Sequence, residues 1–389
     1  MKIFLSAKLF FLISSVLFIS CSLEAQNTIV NPEIWVRQGY ELSVAVNSDL
    51  RPRHMNFAPD GTLYYTTTPD KVIIAAKDND NDGYYETLTE FHVSDNSVYY
   101  VLWHNGWIWY TESGAVFKLK DTDNDGVADE KITVLPEGSI PSGGGHNWRP
   151  LLIHKERIYT ALGDAGNIND MTDTERQKIW SFNLEGKDQK LWSSGIRNTE
   201  KLVIRPGTDE IWGMDHGSDW FGREAGDEEG IQPITDYNPP CEMNKYVEGG
   251  FYGHPFIVGN KLPRYEYLDR DDIIELAANT IVPEWSAGAH WAPNGMMFYT
   301  GNQFSADHKG DAFVAYHGSW NRSVKSGYQV TRVLFEDGKP FGEKPYVKFI
   351  TDDQQVVGRP CDVIQAPDGT LLISDDEEDI IYRLKYVGE

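Results

Sequence analysis

Apolar and polar positions alternate in short runs along most of the chain, and a turn closes each run. Met55-Asn56-Phe57-Ala58-Pro59-Asp60-Gly61-Thr62-Leu63-Tyr64-Tyr65 sets the pattern: an apolar pair, a Pro-Asp-Gly turn, then a hydrophobic strand. Residues 363–373 repeat it closely, and 291–299 follow it with Pro293-Asn294-Gly295. Weaker copies begin at Leu102, Leu151 and Leu202. Asp-Gly and Asn-Gly supply the positive φ that two-residue hairpin turns require. Six copies predict six hairpins, the early ones about 45–50 residues apart, the length of a four-stranded blade. The widest gap, from Gly207 to Gly295, is expected to hold an insertion around residues 218–280 that lines a site on one face. The pattern predicts an all-β fold, a six-bladed β-propeller filling residues 30–389 as one domain. Six copies in order argue against an open β-sandwich, and no helix-period segment follows the first 25 residues.

Composition agrees with this. The 389 residues include 35 Gly, 19 Pro, 20 Tyr, 17 Phe and 12 Trp, a turn-punctuated and aromatic-rich balance. The formal charge of −24 repels nucleic acid and anionic lipid and suits calcium binding. Residues 1–25 read as an export signal, with Lys2 and Lys8 ahead of an apolar run too short to span a membrane. Phe18-Ile19-Ser20-Cys21 resembles a bacterial lipobox, which would make Cys21 a lipid anchor and the only membrane attachment. Ordinary cleavage after Ala25 or Gln26 is the other reading. The chain is therefore expected in the periplasm, on the cell surface or secreted. Cys241 and Cys361 remain, free to pair or not, and no CxxCH attaches a haem.

Two acidic loops share the form D-x-D-x-D-G-x-x-[D/E]: Asp78, Asp80, Asp82 and Glu86, then Asp121, Asp123, Asp125 and Asp129. Alternating carboxylates that converge at a glycine turn offer oxygen-only ligation for Ca²⁺. Neither loop is an EF-hand, since neither has Glu at the twelfth position. The second lies about one blade after the first, so both are expected at equivalent blade positions, as structural calcium sites or as solvated hairpin tips.

A third set of motifs carries chemistry. Gly143-Gly144-Gly145-His146 precedes a strand, and Gly163-Asp164-Ala165-Gly166 follows it. Glycines before the histidine would let backbone approach a ligand. A histidine hydrogen-bonded to an aspartate is either a general base or a structural residue at a blade mouth. Arg197-Asn198 offers donors to an anionic oxygen or forms a surface salt bridge. Gly217-Ser218, Pro239-Pro240-Cys241-Glu242-Met243-Asn244, Gly249-Gly250-Phe251-Tyr252-Gly253, His317-Gly318-Ser319-Trp320-Asn321-Arg322 with Lys325, and Gly358-Arg359-Pro360 complete the set.

These blocks, in this order over residues 38–387, resemble the soluble pyrroloquinoline quinone (PQQ) sugar dehydrogenases, the glucose/sorbosone dehydrogenase family, and most closely its sorbosone dehydrogenase-like branch. The resemblance implies a site on top of a six-bladed propeller. His146 would take the proton of the sugar's anomeric hydroxyl, and Asp164 would orient it. Arg197 would stabilise negative charge on the quinone, and Asn198 would hold the cofactor. Arg359 with Arg322 or Lys325 would grip its carboxylates. Carbonyls at Gly217 and Ser218 would hold a Ca²⁺ against the quinone. Cys361 stands where some relatives carry a second arginine, and Ser218 where some carry proline.

The expected function is a PQQ-dependent aldose dehydrogenase that passes electrons to a separate acceptor. A base, an arginine and a cation would equally serve a uronic-acid oligosaccharide lyase or dehydratase. A non-catalytic sugar-binding propeller is the third reading. Trp107, Trp109 and Trp212 are expected in the core, and Trp220 and Trp320 near the site.

Overall fold

The computed structural model describes residues 30–222 and 231–388; the expected export signal with Cys21 lies outside them. Six of the seven sheets among the described residues are arranged as the blades of a propeller; the seventh is a two-stranded ribbon, Ile257–Val258 with Leu262–Pro263. Blade 1 is Pro52–Phe57, Leu63–Thr67, Val72–Lys77 and Thr87–Val93. Blade 2 is Tyr100–His104, Trp107–Glu112, Ala115–Lys120 and Glu130–Leu135. Blade 3 is Leu152–His154, Arg157–Leu162, Lys178–Asn183 and Lys190–Ser194. Blade 4 is Thr199–Ile204, Ile211–Asp215, Pro240–Tyr246 and Trp285–Ala289. Blade 5 is Pro293–Phe298, Ala312–Tyr316, Gln329–Glu336 and Lys339–Lys348.

Blade 6 closes the ring. Pro360–Gln365, Leu371–Asp375 and Ile380–Tyr386 come from the C-terminal end, and Tyr40–Asn47 from the N-terminal end adds the outer strand, with Leu42 opposite Leu384. Trp35–Val36 adds a fifth strand to blade 5. The two ends of the described chain are thereby tied into one sheet, which leaves no open seam.

Blades lie face to face, so their middle strands are apolar on both sides: Val72–Ala76 and Leu371–Asp375 are buried throughout. Outer strands such as Thr87–Val93 are largely exposed and correspondingly polar. Six of the hydrophobic clusters are seams between neighbouring blades. Met55, Leu63 and Tyr65 meet Leu372 and Ile381 at the closing seam, and Trp212 and Met243 meet Met296 and Val314 between blades 4 and 5. On the axis, Lys201 of blade 4 reaches Asp362 of blade 6 at 2.5 Å, both buried.

Five of the six turn copies join the first and second strands of a blade, as at Asp60-Gly61 and Asp368-Gly369. The sixth does not. Asn294 and Gly295 lie inside the first strand of blade 5, where the pairing slips between Pro293 and Gly295. A side chain at Gly295 would meet the Asp362 Cα at 2.6 Å, so this glycine permits close strand approach at the axis. The expected insertion at 218–280 is likewise not continuous. Pro240–Tyr246, the third strand of blade 4, runs through it and leaves two excursions. These carry two short helices, Gln232–Thr235 and Ile273–Asn279, and a strand, Gly250–Phe251, that pairs in parallel with Lys190–Ser194.

Alternating strands put the 1–2 and 3–4 connections of every blade on one face. The 2–3 connections and the links between blades share the opposite face. The acidic loops are 3–4 connections of blades 1 and 2, at equivalent positions. The histidine and arginine motifs all fall on the opposite face.

Candidate active site

A cavity of about 450 Å³ opens on that second face, over the axis. Its wall includes His146 from the link between blades 2 and 3, Arg197 and Asn198 from the next link, His317 and Trp320 from the 2–3 connection of blade 5, and Arg359 from the last link. Its size falls within the range of small-molecule sites. Two larger clefts, about 620 and 550 Å³, lie between blade edges on the opposite face and hold none of these residues.

His146 donates from Nδ1 to the main-chain carbonyl of Asp164 at 2.8 Å. That bond fixes the tautomer and leaves Nε2 as the acceptor. Burial, helped by the Arg197 charge, pushes the ring down to about 2, so it is neutral across the physiological range. The Asp164 carboxylate points elsewhere. It accepts from His254 Nε2 at 2.8 Å, Gln177 Nε2 at 3.0 Å and Gly166 N at 2.7 Å. Burial opposes its charge, but His254 and these donors outweigh it and hold the carboxyl at about 2. Gly145, which lines the cavity, also donates from N to Ala165 O, and a side chain at Gly163 would strike Arg197 O at 2.7 Å and His146 Cβ at 2.8 Å.

Arg197 is locked from behind. Its guanidinium donates to the carbonyls of Asn167 and Gly217, each at 2.9 Å, and pairs with Asp219 at 3.1 Å. The buried Asp215 carboxylate accepts the main-chain N–H groups of Arg197 and Asn198, which sets the turn that presents both. Asn198 donates to Glu200 at 3.1 Å.

From Glu200 a polar chain crosses the cavity. Glu200 accepts from Arg53 at 3.2 Å, Arg53 from blade 1 pairs with Asp376 at 2.5 Å, and Asp376 accepts from His317 Nε2 at 2.7 Å. His317 Nδ1 in turn accepts from Arg359 at 2.9 Å. Burial works against the charge of Asp376, and His317 and Arg53 outweigh it, holding the carboxyl well below its usual range. Arg53 also lies 4.0 Å from the ring centroid of Trp148. Arg53, Glu200, His290 and Asp376 belong to this face although the motifs did not single them out, and His216, from the block that ends in Gly217-Ser218, joins them.

Of the other expected site residues, Gly217 lines the cavity and Ser218, Arg322 and Lys325 do not. Among the described residues, exposed Lys325 reaches only the carbonyl of Gln354, and Arg322 lies over Tyr237; neither lines the cavity. Gly217 O already accepts from Arg197, and the Ser218 hydroxyl accepts from Arg264 at 2.6 Å. Arg197 takes one of the two lone pairs of Gly217 O, and the Arg264 bond engages the Ser218 hydroxyl rather than the carbonyl expected to bind a cation. Trp107 and Trp109 lie in blade 2 and Trp212 is fully buried in blade 4. Cys241 and Cys361 are buried free thiols.

On the other face, one oxygen each of Asp78, Asp80, Asp82 and Glu86 lie within 4.8 Å of one another, and so do those of Asp121, Asp123 and Asp125. Asp129 stands apart from the second group, bonded to Thr122 N and Oγ1.

The comparisons agree with this architecture. A curated uncharacterised protein of Borreliella burgdorferi is 24% identical over 413 residues, covering 97% of each chain. Among solved structures, the calcium structure of a family AA12 carbohydrate-active enzyme from Trichoderma reesei superposes with TM-score 0.78 at 18% identity, covering 93% of this chain and 99% of that one. The holo PQQ domain of pyranose dehydrogenase from Coprinopsis cinerea gives 0.76 at 17% identity, over 90% and 97%. The apo soluble aldose sugar dehydrogenase from Escherichia coli gives 0.66 at 19% identity, over 89% and 99%. A family profile described as TrAA12-like matches residues 34–386, nearly all of the described propeller, and the chain belongs to that family.

Proposed function

We propose that this protein is an exported sugar dehydrogenase that uses PQQ as its electron acceptor and oxidises a sugar at C1. One observation carries the reading: a neutral histidine with a free Nε2 faces the same cavity as three guanidinium groups, Arg53, Arg197 and Arg359. The solved relatives named as a PQQ domain and as an aldose sugar dehydrogenase share the fold and support it.

The residues present fit PQQ. The cofactor is planar and carries three carboxylates, and the cavity offers guanidinium donors on opposite walls. Arg53 Nε is buried with no partner among the described residues, a donor that a carboxylate oxygen would satisfy. Arg53 and Arg359 would hold the carboxylates, with Asn198 as a further donor. The main-chain carbonyls of Gly217 and Ser218 would be the ligands of a calcium ion beside the quinone, with the Arg197 guanidinium on Gly217 O opposing its charge. When bound, PQQ supplies a two-electron hydride acceptor.

His146 Nε2 accepts the proton of the anomeric hydroxyl as the C1 hydride departs, and the sugar leaves as a lactone. The Asp164 carbonyl steadies the imidazolium that forms, because it keeps Nδ1–H engaged. Arg197, fixed by Asn167, Gly217 and Asp219, places positive charge where negative charge accumulates. Its locked geometry spares the reorganisation that a mobile arginine would need.

The test is titration of purified protein with PQQ, followed by absorbance and by sugar-dependent dye reduction. Saturable binding, with dye reduction lost and PQQ binding retained in His146→Ala, is the expected result. Absence of saturable binding overturns the reading. New conjugated absorbance from uronic-acid oligosaccharides would establish the lyase in its place.

A further inference from the structure

Trp320 stands at the cavity wall yet is 68% exposed, and Tyr237, against Arg322 of the same loop, is 73% exposed. Single exposed apolar side chains are ordinary, but a large aromatic at the mouth of a cavity offers a binding surface. Here the backbone holds it out. Ser319 N donates to Ser326 O at 2.9 Å, Tyr328 Oη to Ser319 O at 2.6 Å, and Gln232 Nε2 to Asn321 O at 3.0 Å. The Asn321 amide also donates to Asp219 O. Bonds on both sides of Trp320 thus fix the loop that presents it. Trp220 meets the Trp320 ring edge-to-face, centroids 5.4 Å apart at 84°, which braces the indole without covering both of its faces. Arg322, two residues along the same loop, lies 5.5 Å from the Tyr237 ring centroid.

We propose that Trp320, braced by Trp220 and continued by Tyr237, is a binding subsite for a second sugar ring, so that the preferred substrate is the reducing end of a neutral oligosaccharide. The inference rests on the sugar dehydrogenase reading. The subsite is continuous with the cavity that would hold the reacting sugar, because Trp320 forms part of both. A pyranose presents a C–H face that covers an indole and hydroxyls that reach rim carboxylates such as Asp219. The net charge of −24 favours a neutral chain over a polyuronate.

The experiment compares PQQ-loaded wild-type protein with Trp320→Ala, Trp320→Phe and Tyr237→Ala on glucose, galactose and xylose and on cellobiose, lactose and xylobiose. The readouts are kcat/KM for each sugar, tryptophan-fluorescence titration of sugar binding, and PQQ affinity. Wild type should prefer disaccharides. Trp320→Ala should lower the disaccharide-to-monosaccharide ratio about three- to tenfold, Tyr237→Ala less, and Trp320→Phe should retain most of it. Equal use of both sugar classes by wild type overturns the subsite and leaves the dehydrogenase reading intact. Equal losses for both classes in Trp320→Ala, or a tenfold loss of PQQ affinity, overturn it by assigning the indole to the cavity itself. Neither binding nor turnover of any sugar overturns both readings.

Discussion

His146 Nδ1 is held by the main-chain carbonyl of Asp164, at 2.8 Å, while the Asp164 carboxylate turns away to His254. The side chain therefore orients the base only through the backbone it anchors. His146→Ala should lower kcat by about 10²–10⁴, the usual worth of a general base. Asp164→Asn keeps the carbonyl and should cost far less activity, while losing stability because His254 and Gln177 lose their charged acceptor. Steady-state kinetics and thermal melts of the two variants separate these effects. Since His146 is held down near 2, its protonation should impose no acid limb on kcat/KM above about pH 4.

The arginines divide into those that face the cavity and those that do not. Arg53→Leu or Arg359→Leu should weaken PQQ binding by about 30-fold or more, the scale for losing one partner of a buried charged hydrogen bond. Lys325→Ala should leave it unchanged, because Lys325 is exposed and, among the described residues, bonded only to Gln354 O. Absorbance titration of each variant reads the difference directly.

The loop holding Asp78, Asp80, Asp82 and Glu86 lies on the closing seam of the ring. Tyr85 N donates to Ala45 O at 2.8 Å and Arg383 to Asp82 O at 2.9 Å, both across to blade 6. A Ca²⁺ there would neutralise the clustered carboxylates and tighten the seam that joins the two ends of the chain. Saturating Ca²⁺ added to chelator-stripped protein should raise Tm by several degrees, since 100-fold excess over Kd contributes about 2.7 kcal/mol. Asp80→Ala with Asp82→Ala should abolish most of that rise, and Asp123→Ala less, because Asp129 stands outside the second group. A calorimetric scan checks it.

Local chemistry was legible in the sequence wherever it decides structure locally. Asp60-Gly61 and Asp368-Gly369 turn because that dipeptide tolerates positive φ, and the middle strands read as apolar because both faces are covered. Gly295 misled for the same reason in reverse: Pro-Asn-Gly looks like a turn, but contact with Asp362 across the axis keeps it extended. Pro240–Tyr246 was concealed by prolines before it and glycines after it. The site was legible where a motif sits on a link between blades, as for His146, Arg197 and Arg359. Arg53 and Asp376 were not, because Pro52-Arg53-His54 reads as plain strand and Asp375-Asp376-Glu377-Glu378-Asp379 as a solvated tip. Only closure of the ring brings blades 1, 4 and 6 together and turns those residues into one network.

Glu200 gives that network a pH dependence. It is buried, and burial raises its carboxyl to about 7 despite the opposing pull of Arg53 and Asn198. Below pH 7 it is neutral, and the cavity presents its guanidinium groups with less compensation. Above pH 7 it is ionised and competes for Arg53. His146 and His216, pushed to about 3 or lower chiefly by burial, do not titrate in this range, and Asp164 stays charged. Asp375, also raised to about 7 by burial, accepts from Arg359 N and adds a slope of the same sign. PQQ affinity should therefore fall about three- to tenfold between pH 6 and pH 8, the scale of one added charge several ångströms away in a partly buried setting. Glu200→Gln should bind more tightly than wild type at pH 8, match it near pH 6, and leave only the part of the slope that Asp375 supplies. An unchanged slope in Glu200→Gln would place the titrating group behind Arg359 instead.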